Sequence, residues 1–179
     1  MNIQTKKELL TIARKSVNAA VNRQSEEKFV SSNPELQGEH GVFVTLKNKG
    51  KLRGCLGCFK SKVPLYKQVS KTAVSSATED SRFFLDPIYP SELDDIDIEI
   101  SILSPMQKLD NPLDLELGIH GIYIKKGSYT GCFLPQVATE TGWSKEELLS
   151  KCCQGKAGLA SDAWKDEDTE IFVFTAEIV

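Results

Sequence analysis

Isoleucine fills every second position from Ile96 to Ile102, with Asp95, Asp97, Glu99 and Ser101 in the gaps. A period of two sends alternate side chains to opposite faces, so "DDIDIEISIL" is predicted to be a strand with one buried face. A different spacing opens the chain: Leu9, Ile12, Ala13, Val17, Ala20 and Val21 recur at helical intervals, predicting an amphipathic helix from Thr5 to about Arg23. The turn-forming run "SSNPELQGEHG" follows, and then "GVFVTLKN" sets Val42, Val44 and Leu46 against Phe43 and Thr45. With a short turn at Asn48 to Gly50, this run and "KLRGCLGCF" form a predicted hairpin.

Pro64 suits a first helical turn, and Leu65 to about Glu79 is predicted to be helical. "NPLDLEL" closed by Gly118 suggests a short helix, and "GIYIKKGSYTGCFL" a second hairpin turning at Lys126 to Ser128. Ser144 and Glu147 have capping-box spacing, and Trp143 with Leu148 suits a hydrophobic staple, so a helix is expected from 145 to about 154. "TEIFVFTAEIV" is predicted to be a strand. Hairpins separated by helices, without βαβ alternation, indicate an α+β protein with a largely antiparallel sheet and flanking helices. The reading is a single domain over 1–179. It allows two unequal lobes with a cleft between them, the smaller within roughly 60–120.

The 179 residues are 40% hydrophobic, enough for one substantial core. No apolar run approaches the roughly 20 residues of a membrane span, and the first residues lack the apolar centre of a signal peptide. Five cysteines, an odd number in a chain of this size, point to a reduced, cytoplasmic protein. A net charge of −3 disfavours a dedicated nucleic-acid binder. That average conceals an asymmetry. No acidic residue lies between Glu39 and Glu79, an interval carrying Lys47, Lys49, Lys51, Arg53, Lys60, Lys62, Lys67 and Lys71, whereas acid concentrates downstream. Pairing of basic and acidic strands accounts for this, and an anion-attracting cleft is compatible with it.

"KLRGCLGCFK" lies inside the basic interval. Regular alternation puts Arg53, Cys55, Gly57 and Phe59 on one face and Leu52, Gly54, Leu56 and Cys58 on the other. The two thiols of the C-L-G-C spacing then diverge, and no second CxxC or HxxxH completes a zinc site, so no metal is expected. Arg53 on the face of Cys55 is a cation able to support a thiolate, and Gly54 and Gly57 let a backbone or ligand come close. The opposing reading makes Cys55 a small buried hydrophobe and the glycines relief for a crowded hairpin.

"LRGCLG" also resembles the signature of the AMMECR domain family. "GVFVTLKNKGKLRGCLG", "DSRFFLDPIYPSELDDIDIEISILSP", "GIHGIYIKKG", "GCFLPQVATETGW" and "KAGL" followed by Trp164 occur in the family's order, spanning roughly residues 5 to 178. The resemblance implies one cytosolic α+β domain of two unequal lobes and no secure reaction. It implies that Leu52, Arg53, Gly54, Cys55, Leu56 and Gly57 carry the signature, with Leu56 where isoleucine is more usual. Cys58 commonly corresponds to a non-cysteine. Family members accompany radical-SAM and Memo-like proteins in many prokaryotes, which makes such proteins the expected partners.

His120 in "GIHG" is a candidate acid/base, although it falls in phase with Ile122 and Ile124 and equally suits a half-buried structural histidine. Gln136, just past Pro135, could orient a ligand through its amide. Cys132, Trp143, Cys152 and Cys153 read more simply as packing residues, and Lys156 belongs to no phosphate loop. HExxH, GxSxG and GxGxxG are absent, and no cofactor is implied. Two readings stay open. In one, an enzyme-like protein binds a small anionic ligand with Arg53, Cys55 and His120 as catalytic groups and Gly54, Leu56, Gly57 and Gln136 around the ligand. In the other, the domain is a non-catalytic scaffold for its pathway partners.

Overall fold

Lys49 and Gly50 both adopt positive φ, 50° and 79°, closing a two-residue turn between strands β1 (Val42–Asn48) and β2 (Lys51–Cys58). Such primed turns match the twist of the strands they join. The computed structural model describes residues 1–25 and 27–179. These divide into two units, Met1–Leu103 with Glu177–Val179, and Ser104–Ala176.

The first unit is built on a four-stranded sheet of order β2-β1-β3-β8, with β3 at Ile96–Leu103 and β8 at Ala176–Ile178. β1 pairs antiparallel with both β2 and β3. Helix α1 (Ile3–Val21) begins at Asn2, whose side chain accepts the Thr5 N–H. Helix α2 (Leu65–Thr78) follows Pro64. Leu9, Ile12 and Val17 of α1, Val69 and Ala73 of α2, and Val42, Val44, Leu46 and Ile100 of the sheet form one buried cluster. Each such side chain removed from water contributes on the order of 1.5–3 kcal/mol before entropy is counted. The alternation in 96–102 is thus explained by burial against helices. Of roughly 60–120, the interval allowed for a smaller lobe, residues 60–103 lie in this first unit, with α2 packed in its core, and 104–120 lie in the second.

The second unit contains a sheet of order β4-β7-β5-β6: Gln107–Lys108, Glu170–Phe174, Gly121–Lys126 and Tyr129–Phe133 in that order. Helix α3 (Pro135–Thr141) ends at Gly142, whose φ of 67° makes the left-handed cap. The expected capping box is present at α4 (Lys145–Cys152): Ser144 Oγ accepts the Glu147 N–H and Glu147 accepts the Ser144 N–H. Trp143 packs against the cluster that contains Leu148, as a staple should. The helix then widens through Cys153–Ala157 before Gly158 stops it.

The fold is α+β, as the sequence indicates. Three local expectations change. "NPLDLEL" makes only a 3-10 turn at Pro112–Asp114, because Leu115 turns extended and inserts fully into the second core. α3 was not anticipated: Val137, Thr139 and Thr141 are weak helix formers, and only Pro135 and Gly142 mark its ends. "TEIFVFTAEIV" is two strands, since the chain leaves one sheet at Phe174 and joins the other at Ala176. Among the described residues no helix is long and apolar enough to cross a membrane.

Candidate functional site

The register of the β1–β2 hairpin is interrupted. Leu46 pairs with Gly54 but Lys47 pairs with Leu52, which leaves Arg53 as the extra residue of a bulge. Paired residues of an antiparallel ladder share a face, so Leu52 lies with Lys47 and Cys55 with Thr45. The plain alternation that would group Arg53 with Cys55 is therefore broken between them.

Arg53 is 5% exposed and points into the 83–92 segment. Its Nε donates to Glu92 Oε1 at 3.1 Å, NH2 to Glu92 Oε2 at 3.1 Å and to the Pro87 carbonyl at 2.9 Å, and NH1 to Asp86 Oδ2 at 2.7 Å. Four of a guanidinium's five N–H donors are thus engaged. Burial opposes the charge, but the hydrogen bonds to Glu92 and Asp86 prevail and hold the group above its ordinary value. The Glu92 carboxyl is lowered although burial works against it, through the Tyr89 N–H, Arg53 and Asn48. Arg53 fastens a long connection to the sheet and has little left for a ligand. Lys49 pairs with Asp95 at 3.2 Å, and Lys47 stands opposite Asp97, so part of the basic interval is neutralised by the acid downstream.

The signature glycines have steric causes. A Cβ on Gly54 would stand 2.0 Å from the Ser76 carbonyl oxygen, so only glycine lets α2 approach β2 this closely. A Cβ on Gly57 would meet the ring of its cross-strand partner Phe43 at 2.3 Å. Between the strands, Ser76 Oγ donates to the Val44 carbonyl at 2.9 Å and accepts the Leu56 N–H at 3.0 Å. Leu56 pairs with Val44 and therefore faces α2.

Cys55 is half-buried on the opposite face, its Sγ 3.3 Å from Thr45 Oγ1. Thr45 is in register with Glu99, so a thiol, a hydroxyl and a carboxylate lie in one row across three strands. The backbone of Cys55 is clamped from the outer edge: Asp80 Oδ2 accepts its N–H at 2.9 Å, and Arg82 NH2 donates to its carbonyl at 3.0 Å. Asp80 is buried and ion-paired with Arg82 at 2.6 Å. Its carboxyl is held below the ordinary range, chiefly by the Arg82 hydrogen bond and against the effect of burial. The Arg82 guanidinium is raised, first by Asp80 and to a smaller extent by the neighbouring Cys55. Arg82 is half exposed; its Nε and NH2 make the hydrogen bonds to Asp80 and to the Cys55 carbonyl. The cation beside Cys55 is thus Arg82. Sequence spacing concealed it 27 residues away, although it lies in the family-like "DSRFFLDP".

In the second unit, His120 is half-buried and its Nδ1 accepts the Glu116 N–H at 3.1 Å. A ring accepting at Nδ1 presents Nε2 as its other hydrogen-bonding atom. Gln136 is the second residue of α3, and Cys132 pairs with Tyr123. Lys156 sits over the Phe133 ring at 5.6 Å. Cys152 and Cys153 are buried, and burial pushes both thiols up. Cys55 and Cys58 leave opposite faces of β2 and cannot chelate one ion. Among the described residues no group of three or more His, Cys, Asp and Glu is arranged to hold a metal.

The model of the family described as AMMECR1 matches residues 10–179. A protein of Methanothermobacter thermautotrophicus is 39% identical over 177 residues, covering 95% of this chain and 91% of its own. A protein of Thermococcus onnurineus is 40% identical over 181 residues, covering 95% and 87%. The solved structure titled as that of an uncharacterized protein, PH0010 from Pyrococcus horikoshii, superposes with a TM-score of 0.87 at 37% identity, covering 95% of this chain and 88% of that one.

Proposed function

The chain belongs to the AMMECR1 family, and from that premise we propose that it binds a small anionic ligand or reactive group at the outer edge of β2, with the Cys55 thiol as acceptor or nucleophile. The observation that carries this reading is the clamp on Cys55: a buried Asp80 and a half-exposed Arg82 fix its peptide and set a guanidinium beside its side chain. Arg82 NH1 holds the anion, Thr45 Oγ1 steadies the sulfur, and Arg53 acts as a positioning residue that keeps the 83–92 segment in place. Gly54, Leu56 and Gly57 shape the strand beneath. His120 and Gln136 belong to the second unit and are assigned no step in this reading. Five free cysteines suit a reducing cytoplasm.

Iodoacetamide kinetics followed by mass spectrometry test the proposal. Cys55 should label faster than Cys58, and Arg82→Gln should slow Cys55 about fivefold while leaving Cys58 unchanged. Equal rates at the two thiols, or a Cys55 rate indifferent to Arg82, sinks it.

A second reading, a non-catalytic scaffold for radical-SAM and Memo-like partners, rests on a different observation. Arg53, Gly54 and Gly57 are all accounted for by packing and hydrogen bonding, with no ligand required. It requires that Cys55→Ser leave the cellular role intact.

A further inference from the structure

Thr45 pairs with Cys55 and Phe43 with Gly57, so all four residues share one face of the first sheet. Phe43 is thus the diagonal neighbour of Cys55, a spacing of roughly 7–8 Å that an aromatic side chain can span. Its ring leans toward β2. A Cβ on Gly57 would stand 2.3 Å from Phe43 Cγ and 2.5 Å from its Cδ1, so the ring lies across bare backbone. Phe59 holds it there edge-on, with ring centroids 5.2 Å apart and planes at 67°. Phe43 is half-buried and Gly57 is exposed, so part of the ring stays open on the face of the thiol.

Arg82 is fixed by separate contacts. Its guanidinium lies over the Phe83 ring at 5.6 Å, pairs with Asp80 and donates to the Cys55 carbonyl. The Cys55 thiol therefore has a cation at the strand edge and an aromatic surface two residues, roughly 7 Å, along the strand. An aromatic wall beside a few placed polar groups is the usual make-up of a small-ligand site. Gly57 belongs to this arrangement, because any side chain there would drive the Phe43 ring off the strand.

We infer that Phe43 is a specificity-determining residue of the Cys55 site, which takes small electrophiles joining an anionic head to a planar apolar group. The inference rests on the thiol reading proposed above and adds the apolar end of the ligand to it. The head meets Arg82, the planar group packs on Phe43, and the electrophilic carbon between them faces Sγ. The thiol proton goes to solvent, the thiolate forms the S–C bond, and the leaving group departs with its electron pair.

Labelling of the full chain with iodoacetamide and with its N-phenyl derivative, read at each cysteine by mass spectrometry, tests this. Each rate is divided by that of glutathione with the same probe, which removes the intrinsic difference between the two. At Cys55 the phenyl probe should then gain at least about fivefold over iodoacetamide, the size of one aromatic contact. At Cys58, on the opposite face of β2, the two should match. Phe43→Leu should reduce the gain at Cys55 to about twofold or less, and Phe43→Tyr should keep it. Arg82→Gln should slow both probes without changing their ratio. A Cys55 that reacts fast and depends on Arg82, yet shows no phenyl gain, overturns the inference and leaves the thiol reading standing. A gain that survives Phe43→Leu, or is equal at Cys58, overturns it as well. A Cys55 slow toward both probes overturns the inference and the thiol reading together. Should Phe43→Leu not fold, the wild-type contrast between Cys55 and Cys58 decides.

Discussion

The carboxylate of Asp80 accepts the Cys55 N–H at 2.9 Å, joining the cap of a 3-10 turn to the middle of an edge strand 25 residues earlier. An edge strand normally leaves alternate N–H and C=O groups to water or to another chain. Here Asp80 and Arg82 occupy both groups of Cys55, so the edge is closed where the thiol sits.

That carboxylate gives a pH signature. The folded value of Asp80 lies below the ordinary 3.8, with the Arg82 hydrogen bond as the main cause. At low pH the unfolded chain binds the proton first. Asp80 therefore stabilises the fold in full above the ordinary value and loses that contribution as pH falls through the folded one. Asp80→Asn should cost about 1–3 kcal/mol at neutral pH. Its deficit in urea unfolding should shrink below about pH 4. Parallel curves for the two proteins would contradict the assignment.

Arg53→Ala should destabilise the protein by about 2–4 kcal/mol, because it strands Glu92 and frees the 83–92 connection. Arg53→Lys should recover little, since an ammonium cannot span both Glu92 oxygens, Asp86 and the Pro87 carbonyl. A lysine variant as stable as wild type in chemical denaturation would refute the architectural role.

The glycines should rank by cause. Gly54→Ala drives a methyl into the backbone of α2 and should cost about 3 kcal/mol or prevent folding. Gly50→Ala has open space but a φ of 79°, so it should cost only about 1–2 kcal/mol. Thermal melts of the two variants check the order.

Thiol labelling should separate along burial. Cys55, Cys58 and Cys132 are half-buried and should react in the folded protein, whereas Cys152 and Cys153 should wait for unfolding because burial keeps both protonated. Early modification of Cys152 under native conditions would contradict the packing of α4.

Local pattern carried much of this fold. Alternation in 96–102, the turn at Lys49–Gly50 and the capping box at Ser144 each depend on neighbours within a few residues, and each is present. The pairing of basic and acidic segments was legible for the same reason as the strands. The site was harder. A single-residue bulge at Arg53 reverses which side chains share a face, and nothing in "KLRGCLG" announces it. Arg53 is drawn away by Asp86 and Glu92, and Arg82 arrives in its place, through contacts spanning 27 to 39 residues. Cys55 is a candidate from its own stretch; its neighbours are read only from the fold.

The division at Thr175 bears on biogenesis. Glu170–Phe174 is an inner strand of one sheet and Ala176–Ile178 joins the other, so the same nine-residue stretch supplies a member to both. A ribosome emits these residues after every strand they pair with, which leaves β3 and β5 each lacking a neighbour until then. Nascent chains paused before this point hold two open templates, and the interval before the stretch emerges is when a chaperone has most to protect.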